Sequence, residues 1–300
     1  MDVALIDGDI FVYKIAYRKK YEKIDKNFFT TDPVKIKANL REVERTQSEV
    51  DKEIHECLVG IMKKTGADSY IGFISGTRRE CFRSTVAVTQ VYKGNRPKKE
   101  MPKWFNYVED RFREFYNFVY MGELEADDGM ALVQSRGIEG HRTMIVSDDK
   151  DMLTVPGLHY VYHKDEFIDQ DEFSANLMMW TQVLTGDGTD NILGCAIKVE
   201  HTWGPNHKTK PNEKYMKRQG VGEAAAKKLL NQFKPTQWYA VVMSQYMKMF
   251  GRHNGILKFT ENFRLIYLLR EQESDWETPK TQVVPQYPVV PPKQEEECLI

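Results

Sequence analysis

Val3–Ile6 is an unbroken apolar run stopped by Asp7-Gly8-Asp9, the pattern of a buried strand that ends in a turn. Similar runs return at Tyr70–Ile74, closed by Ser75-Gly76, and at Phe118–Tyr120. Two more follow at Thr143–Val146, closed by Ser147-Asp148-Asp149-Lys150-Asp151, and at Leu158–Tyr162. Longer periods separate them. Asp32-Pro33 opens a charge-rich, helix-like stretch over Val34–Lys64 with apolar Ile54, Leu58 and Ile61. Trp104–Phe115 reads as helical and aromatic, and Glu125–Arg136 as a helix stopped by Gly137. Strands alternating with helices predict an α/β domain whose central sheet is mostly parallel and flanked by helices.

After about Asp171 the pattern turns helical, over Phe173–Leu184, Gly222–Phe233, Thr236–Met249 and Leu257–Arg270. Gly194–Gly220 has weak periodicity and contains Gly-Pro-Asn and Lys-Pro breakers, so a loop is expected there. Thr278–Ile300 carries five prolines and then Glu295-Glu296-Glu297, the composition of a flexible tail. The chain thus divides into an α/β domain over 1–172, a helical region over 173–275 with a basic insert at 195–219, and an acidic tail over 276–300.

Acids gather where the strands are expected to end. Asp7 and Asp9 follow the first, Glu125, Asp127 and Asp128 open a helix after the third, and Asp149 and Asp151 follow the fourth. Asp187 and Asp190 sit in Gly186-Asp187-Gly188-Thr189-Asp190-Asn191-Ile192. Singly, such acids serve as helix caps and turn formers. Jointly, at the carboxyl ends of neighbouring parallel strands, they converge on one spot and repel unless cations lie between them. All-oxygen donors suit Mg²⁺ or Mn²⁺, and two such ions roughly 3.5–4 Å apart form a clamp for phosphodiester hydrolysis.

Composition narrows the classes. Hydrophobic residues make up 41% of the 300, enough for a real core. No apolar run reaches the roughly 18 residues of a membrane span. Scattered Cys57, Cys81, Cys195 and Cys298, with no basic leader ahead of Val3, fit a cytoplasmic protein. Zinc would need a closed ligand set, and His159, His163, His201 and His207 do not complete one with Cys195. The net charge of −1 excludes a uniformly basic nucleic-acid binder, but the charge is sorted. Ser75–Trp104 carries +6, Met121–Asp190 carries −11, Lys198–Lys228 carries +5 and the last thirty residues −5.

Within the first basic block, Tyr92-Lys93-Gly94-Asn95-Arg96-Pro97-Lys98-Lys99 combines an aromatic, a glycine and four cations. Such a set can hold phosphates and stack on an unpaired base, though solvated charged loops look the same. Gly220-Val221-Gly222 enters an alanine-rich helix with Lys227 and Lys228. Its first turn offers N–H groups to a phosphate, or simply joins two helices.

Taken together, in order, these motifs resemble the 5′-nuclease superfamily of flap endonucleases and phage 5′→3′ exonucleases. The bearers are LIDGD (Leu5–Asp9), YKGNR (Tyr92–Arg96), EADD (Glu125–Asp128), Asp149 and Asp151, GDGTDNILG (Gly186–Gly194) and GVG (Gly220–Gly222), over roughly residues 1–235. The chain's size looks most like a free-standing phage enzyme. The resemblance implies a PIN-like nuclease domain with a helical gateway near 78–104, then a helix–three-turn–helix DNA-binding region. It implies one metal held by Asp7, Glu125, Asp127 and Asp128, and a second served by Asp149, Asp151, Asp187 and Asp190, partly through water. Lys93 and Arg96 would steer the scissile phosphate and stabilise its charge, Tyr92 would stack on a base, and Lys98 and Lys99 would hold DNA. Gly220 and Gly222, with Lys227 and Lys228, would contact the duplex backbone, with a K⁺ ion on the main-chain carbonyls. The implied activity is metal-dependent cleavage of DNA from 5′ ends or flaps, extending to the RNA of RNA–DNA hybrids. Replication, primer removal or DNA degradation in a host cytoplasm would be its setting. The expected protein is a monomer off the membrane, its acidic tail open to a replication-protein partner.

Two departures stand against the family pattern. The acid usual after the second strand is missing from Phe73-Ile74-Ser75-Gly76-Thr77, leaving Asp9 as its candidate substitute, and Cys195–Gln219 separates the Asp-Asn-Ile-Leu-Gly motif from GVG. Two other readings compete. A haloacid-dehalogenase-like phosphatase would use Asp7 as nucleophile and need a hydrophobic strand before Gly186. A junction-binding protein on a decayed nuclease scaffold would bind flaps without cutting.

Overall fold

The fold is that of a computed structural model in which residues 2–25, 30–97, 100–206, 208–210 and 212–270 are described. The chain enters through β1 (Asp2–Asp7) and turns at once into α1 (Gly8–Ala16), which Asp7 caps by accepting from Ile10 N. A small antiparallel hairpin follows, β2 (Lys20–Lys23) and β3 (Leu40–Val43), with α2 (Pro33–Ala38) between its strands. The long polar stretch read as one helix is therefore split, and α3 (Gln47–Thr65) begins only at Thr46. There Thr46 and Glu49 form a capping box, and Gly66 in the left-handed region ends the helix.

Next come β4 (Ser69–Ile74), α4 (Phe82–Val86), α5 (Phe105–Asp110) with a π-helical continuation over Arg111–Phe115, and β5 (Val119–Tyr120). Among the described residues of the expected helical gateway, α4 is the one helix, and turns supply the rest. The α/β part closes with α6 (Ala126–Arg136), β6 (Arg142–Ser147), β7 (Gly157–Val161) and β8 (Glu166–Gln170). The sheet order is β5-β4-β1-β6-β7-β8, parallel except for β8, which sequence patterning missed. Ala4 and Ile6 of β1 face a core built with α1, α3 and α5, whereas Val3 and Leu5 face a second core beneath α6. Central strands buried on both faces read as continuous apolar runs for this reason.

The helical region comprises α7 (Glu172–Thr185), α8 (Glu223–Leu230), α9 (Trp238–Phe250) and α10 (Arg252–Ile266), packed on a core centred on Trp238, Tyr246 and Phe259. The insert is not a loop. It forms an antiparallel ribbon, β9 (Ala196–Thr202) and β10 (Lys214–Gly220), paired from Ala196↔Gly220 to Thr202↔Lys214. Because the ribbon closes on itself, Val221 N donates to Cys195 O (3.3 Å) and the GVG turn returns to the end of the Asp187–Gly194 loop.

Candidate active site

Parallel pairing of β1 with β4 and β6 brings three strand ends together. Asp7 Oδ2 accepts from Ser147 Oγ at the end of β6 (2.7 Å). Asp9 Oδ1 accepts from Ser75 N at the end of β4 (3.0 Å), so its carboxylate stands where the sequence lacks an acid. Ser75 Oγ accepts from Ala126 N (2.8 Å), which draws the start of α6, and with it Glu125 and Asp127, to the same edge. Gly129 permits this approach, because a Cβ there would lie 2.5 Å from the Phe73 ring. Asp149 caps a 3₁₀ turn over Lys150–Thr154 and accepts from Asp151 N (2.8 Å). The Asp187–Asp190 loop is pinched between Gly186 and Gly194, both at φ 72°, where an added Cβ would meet backbone at 2.2 and 2.3 Å.

Glu125, Asp127, Asp149, Asp151, Asp187 and Asp190 line one cleft, together with Tyr92, Lys93, Arg96 and Lys150. Two motifs almost a hundred residues apart interlock across it. Lys93 N donates to Asp190 O (2.9 Å), Asn95 Nδ2 to Gly188 O (2.6 Å) and Asn191 Nδ2 to Val91 O (3.0 Å). Arg96 pairs with Asp190 (2.6 Å), and Lys93 pairs with Glu125 and, at 3.8 Å, with Asp190. Lys93 sits at φ 52°, a costly conformation for a residue with a Cβ and one that concentrates at functional sites.

Electrostatics divide these acids. Burial first, then Asp9 and Asp149, push Asp7 up to about 7. Burial, then Asp7, Asp149 and Glu125, hold Asp127 well above the carboxylate range. Burial and Asp149 push Asp151 up to about 6. Burial would also raise Glu125, but Arg83 and Lys93 outweigh it and hold that carboxyl low. Lys93 stays charged because Glu125 and Asp190 outweigh its own burial.

Among the described residues, no three acid, imidazole or thiolate side chains stand ready-made as a metal cluster. The donor set nonetheless fits hard divalent cations. It is all-oxygen, six of its carboxylates line one cleft, and burial together with neighbouring carboxylates (Asp9 and Asp149 for Asp7; Asp7, Asp149 and Glu125 for Asp127) disfavours the ionised forms that a cation would stabilise.

Two expected site residues take other roles. Asp128 is fully buried, accepts from Arg83 through both oxygens and from Glu125 N, and does not line the cleft. Tyr92 is 4% exposed and its hydroxyl donates to Glu125 (2.8 Å) and Asp190 (2.9 Å), so its ring packs in the helical core instead of offering a face to a base. Lys98, Lys99, His207 and the tail lie outside the described residues. Gly220 ends β10 and Gly222 caps α8, on which Lys227 pairs with Glu223 (2.7 Å) and Lys228 is exposed. The segment before Gly186 is α7, not the strand a haloacid-dehalogenase arrangement needs.

Arg83 and Lys150 escaped the sequence reading. Arg83, 1% exposed, pairs with Glu125 and Asp128 and donates to Leu265 O and Tyr267 O (both 3.1 Å). Lys150 bridges Asp151 (2.7 Å) and Asp187 (3.7 Å). Arg83 lay hidden in a basic run and Lys150 in an acidic one.

No protein-family model and no curated protein matches the chain. Solved structures do. The D15 protein of phage T5, co-crystallised with metal ions, is similar with a TM-score of 0.56 at 14% identity, covering 89% of this chain and 90% of that one. The bacteriophage T5 flap endonuclease in a pseudo-enzyme–product complex with DNA and metal ions gives 0.56 at 15% identity, with 89% of each chain covered. The chain therefore has the fold of the T5 flap endonuclease: a six-stranded, mostly parallel sheet flanked by helices.

Proposed function

We propose that this protein is a metal-dependent nuclease that hydrolyses DNA phosphodiesters from 5′ ends or flaps. The observation that carries the reading is the convergence of six carboxylates and the Lys93–Arg96 turn on one cleft, at the carboxyl edge of a sheet with the T5 nuclease fold. Asp7, Asp127 and Asp149, with Glu125 and Asp9 beside them, would hold one divalent ion, and Asp151, Asp187 and Asp190 would serve a second. Bound Mg²⁺ or Mn²⁺ would supply an activated water and charge neutralisation at the leaving oxygen. Lys93 and Arg96 would place the scissile phosphate and stabilise the charge that grows on it. Tyr92 would hold Glu125 and Asp190 in register through its hydroxyl. The start of α8, entered through Gly222, would meet the duplex backbone with the N–H groups of its first turn.

The test is cleavage of a 5′-labelled flap duplex and a matching blunt duplex, with Mg²⁺ and with EDTA. Mg²⁺-dependent release of short 5′ products is expected, and their length separates end-chewing from flap cutting. Tight flap binding with no cleavage in Mg²⁺ or Mn²⁺ would replace this reading with that of a junction-binding protein.

A further inference from the structure

The ribbon β9–β10 is rooted beside the site, where Lys198 Nζ donates to Gln90 Oε1 (3.0 Å), and runs outward from there. Beyond Ala196, every described residue to Gly220 is exposed except half-buried Val199, Trp203 and Tyr215. A lone two-stranded ribbon is marginal in water, yet this one is braced at both ends. At the root, Arg218 donates to Thr185 O (2.7 Å), Val221 O (3.0 Å) and Leu193 O (3.2 Å), fixing the ribbon between the Asp187–Gly194 loop and the GVG turn. Toward the tip, Trp203 stacks on Tyr215 at 4.2 Å and 18°, and Trp203 N donates to Glu213 O (2.9 Å), extending the ladder.

Its charge explains what such a brace is for. From Ile197 to Gly220 the sequence has six basic residues, Lys198, Lys208, Lys210, Lys214, Lys217 and Arg218, against two acids, Glu200 and Glu213, a local excess of +4 in a chain whose total is −1. Register places Lys198, Lys214 and Arg218 on one face, with Lys217 on the other beside Tyr215 and His201. Strands of seven residues extend roughly 23 Å, about the rise of six to seven base pairs. A two-stranded ribbon also has the width that the duplex major groove admits.

Resting on the nuclease reading, we propose that β9–β10 is a duplex-gripping arm. It would lay its lysines along the phosphates several base pairs from the cleft, adding affinity without base specificity. The chemistry is electrostatic: lysines displace condensed counterions, so the arm's contribution falls steeply with salt.

The test uses the full chain in EDTA, so that nothing is cut, and fluorescence anisotropy of hairpin-capped DNA stems of 6 and 24 base pairs at several salt concentrations. The variant is Lys208→Gln/Lys214→Gln/Lys217→Gln, three exposed side chains whose loss leaves the core intact. For the 24-pair stem, the slope of log affinity against log salt should shrink by about 2 to 3, near 0.9 per lost phosphate contact. Binding to the 6-pair stem should change less than threefold. Variant and wild type with equal slopes and affinities on the long stem would overturn the arm while leaving the nuclease reading intact. Wild type binding neither stem would overturn both.

Discussion

Asp7 and Asp127 stand out because the fold keeps carboxyl groups where it disfavours their charge. Asp7 is pushed up to about 7, above the ordinary 3.8, so between these pH values the folded protein holds a proton that the unfolded chain has lost. The native state binding more protons means that stability falls as pH rises through that window, with the loss complete above about 7. A divalent cation that needs the ionised form reverses this. The melting temperature of the metal-free protein should drop between pH 5 and 8, and the gain on adding Mg²⁺ should grow over the same range. A pH-independent Mg²⁺ gain would mean that these acids do not meet the ion. Asp127→Asn removes a charge that Asp7, Asp149 and Glu125 all oppose. It should melt higher than wild type in EDTA at pH 8 yet lose the Mg²⁺ gain and nearly all cleavage; a lower melting temperature would contradict the electrostatic account. Lys93→Ala should slow turnover by about 10²–10³-fold, the scale of one lost transition-state donor. Duplex affinity should stay within a few-fold, and equal losses in both would remove Lys93 from the chemical step.

Arg83 is a hinge pin between elements. From α4 it reaches Glu125 and Asp128 at the start of α6 and the carbonyls of Leu265 and Tyr267 where α10 ends. Arg83→Met strands the fully buried Asp128, which should cost about 3–5 kcal/mol in urea unfolding. It also frees Glu125, so the Mg²⁺ midpoint should rise. Adding Asp128→Leu should recover much of the stability but not the Mg²⁺ midpoint; recovery of both would reduce Arg83 to a packing residue. This pair shows what could be read from sequence. The apolar runs of β1, β4 and β6 and the acids that end them were legible, because burial on both faces writes itself as uninterrupted hydrophobicity. The partners of those acids were not. Asp128 looks like any acid beside Asp127, and only the arrival of Arg83 from 45 residues away separates a buried ion pair from a cleft-lining carboxylate. Ribbons β2–β3 and β9–β10 escaped for a related reason: with almost no buried side chains, their alternation carries no hydrophobic signal.

At the scale of the molecule, the helical region completes the cleft. Glu261 on α10 accepts from Val88 N (2.7 Å), Thr89 N (2.6 Å) and the Thr89 hydroxyl, tying down the segment that leads into Tyr92–Arg96. At the next position, Asn262 Oδ1 accepts from Gly194 N (2.9 Å) and so holds the far end of the Asp187–Asp190 loop. Adjacent residues of one helix thus set the two motifs that interlock over the acids. It follows that the sheet and the helical region should unfold in one transition, and that loosening Glu261 should disturb the cleft more than the fold. Glu261→Ala should cost about 2 kcal/mol, the order of a charged hydrogen-bond acceptor lost at a half-buried site. Amide exchange over residues 88–97 should accelerate by well over tenfold while the strands of the central sheet keep their protection. Cleavage should fall roughly tenfold, because the segment that carries Lys93 and Arg96 would lose its anchor on α10 and be held only from the side of the acids. Unchanged exchange in 88–97 would show that the turn holds itself in place against the Asp187–Asp190 loop, leaving α10 as a scaffold for the helical region and no more.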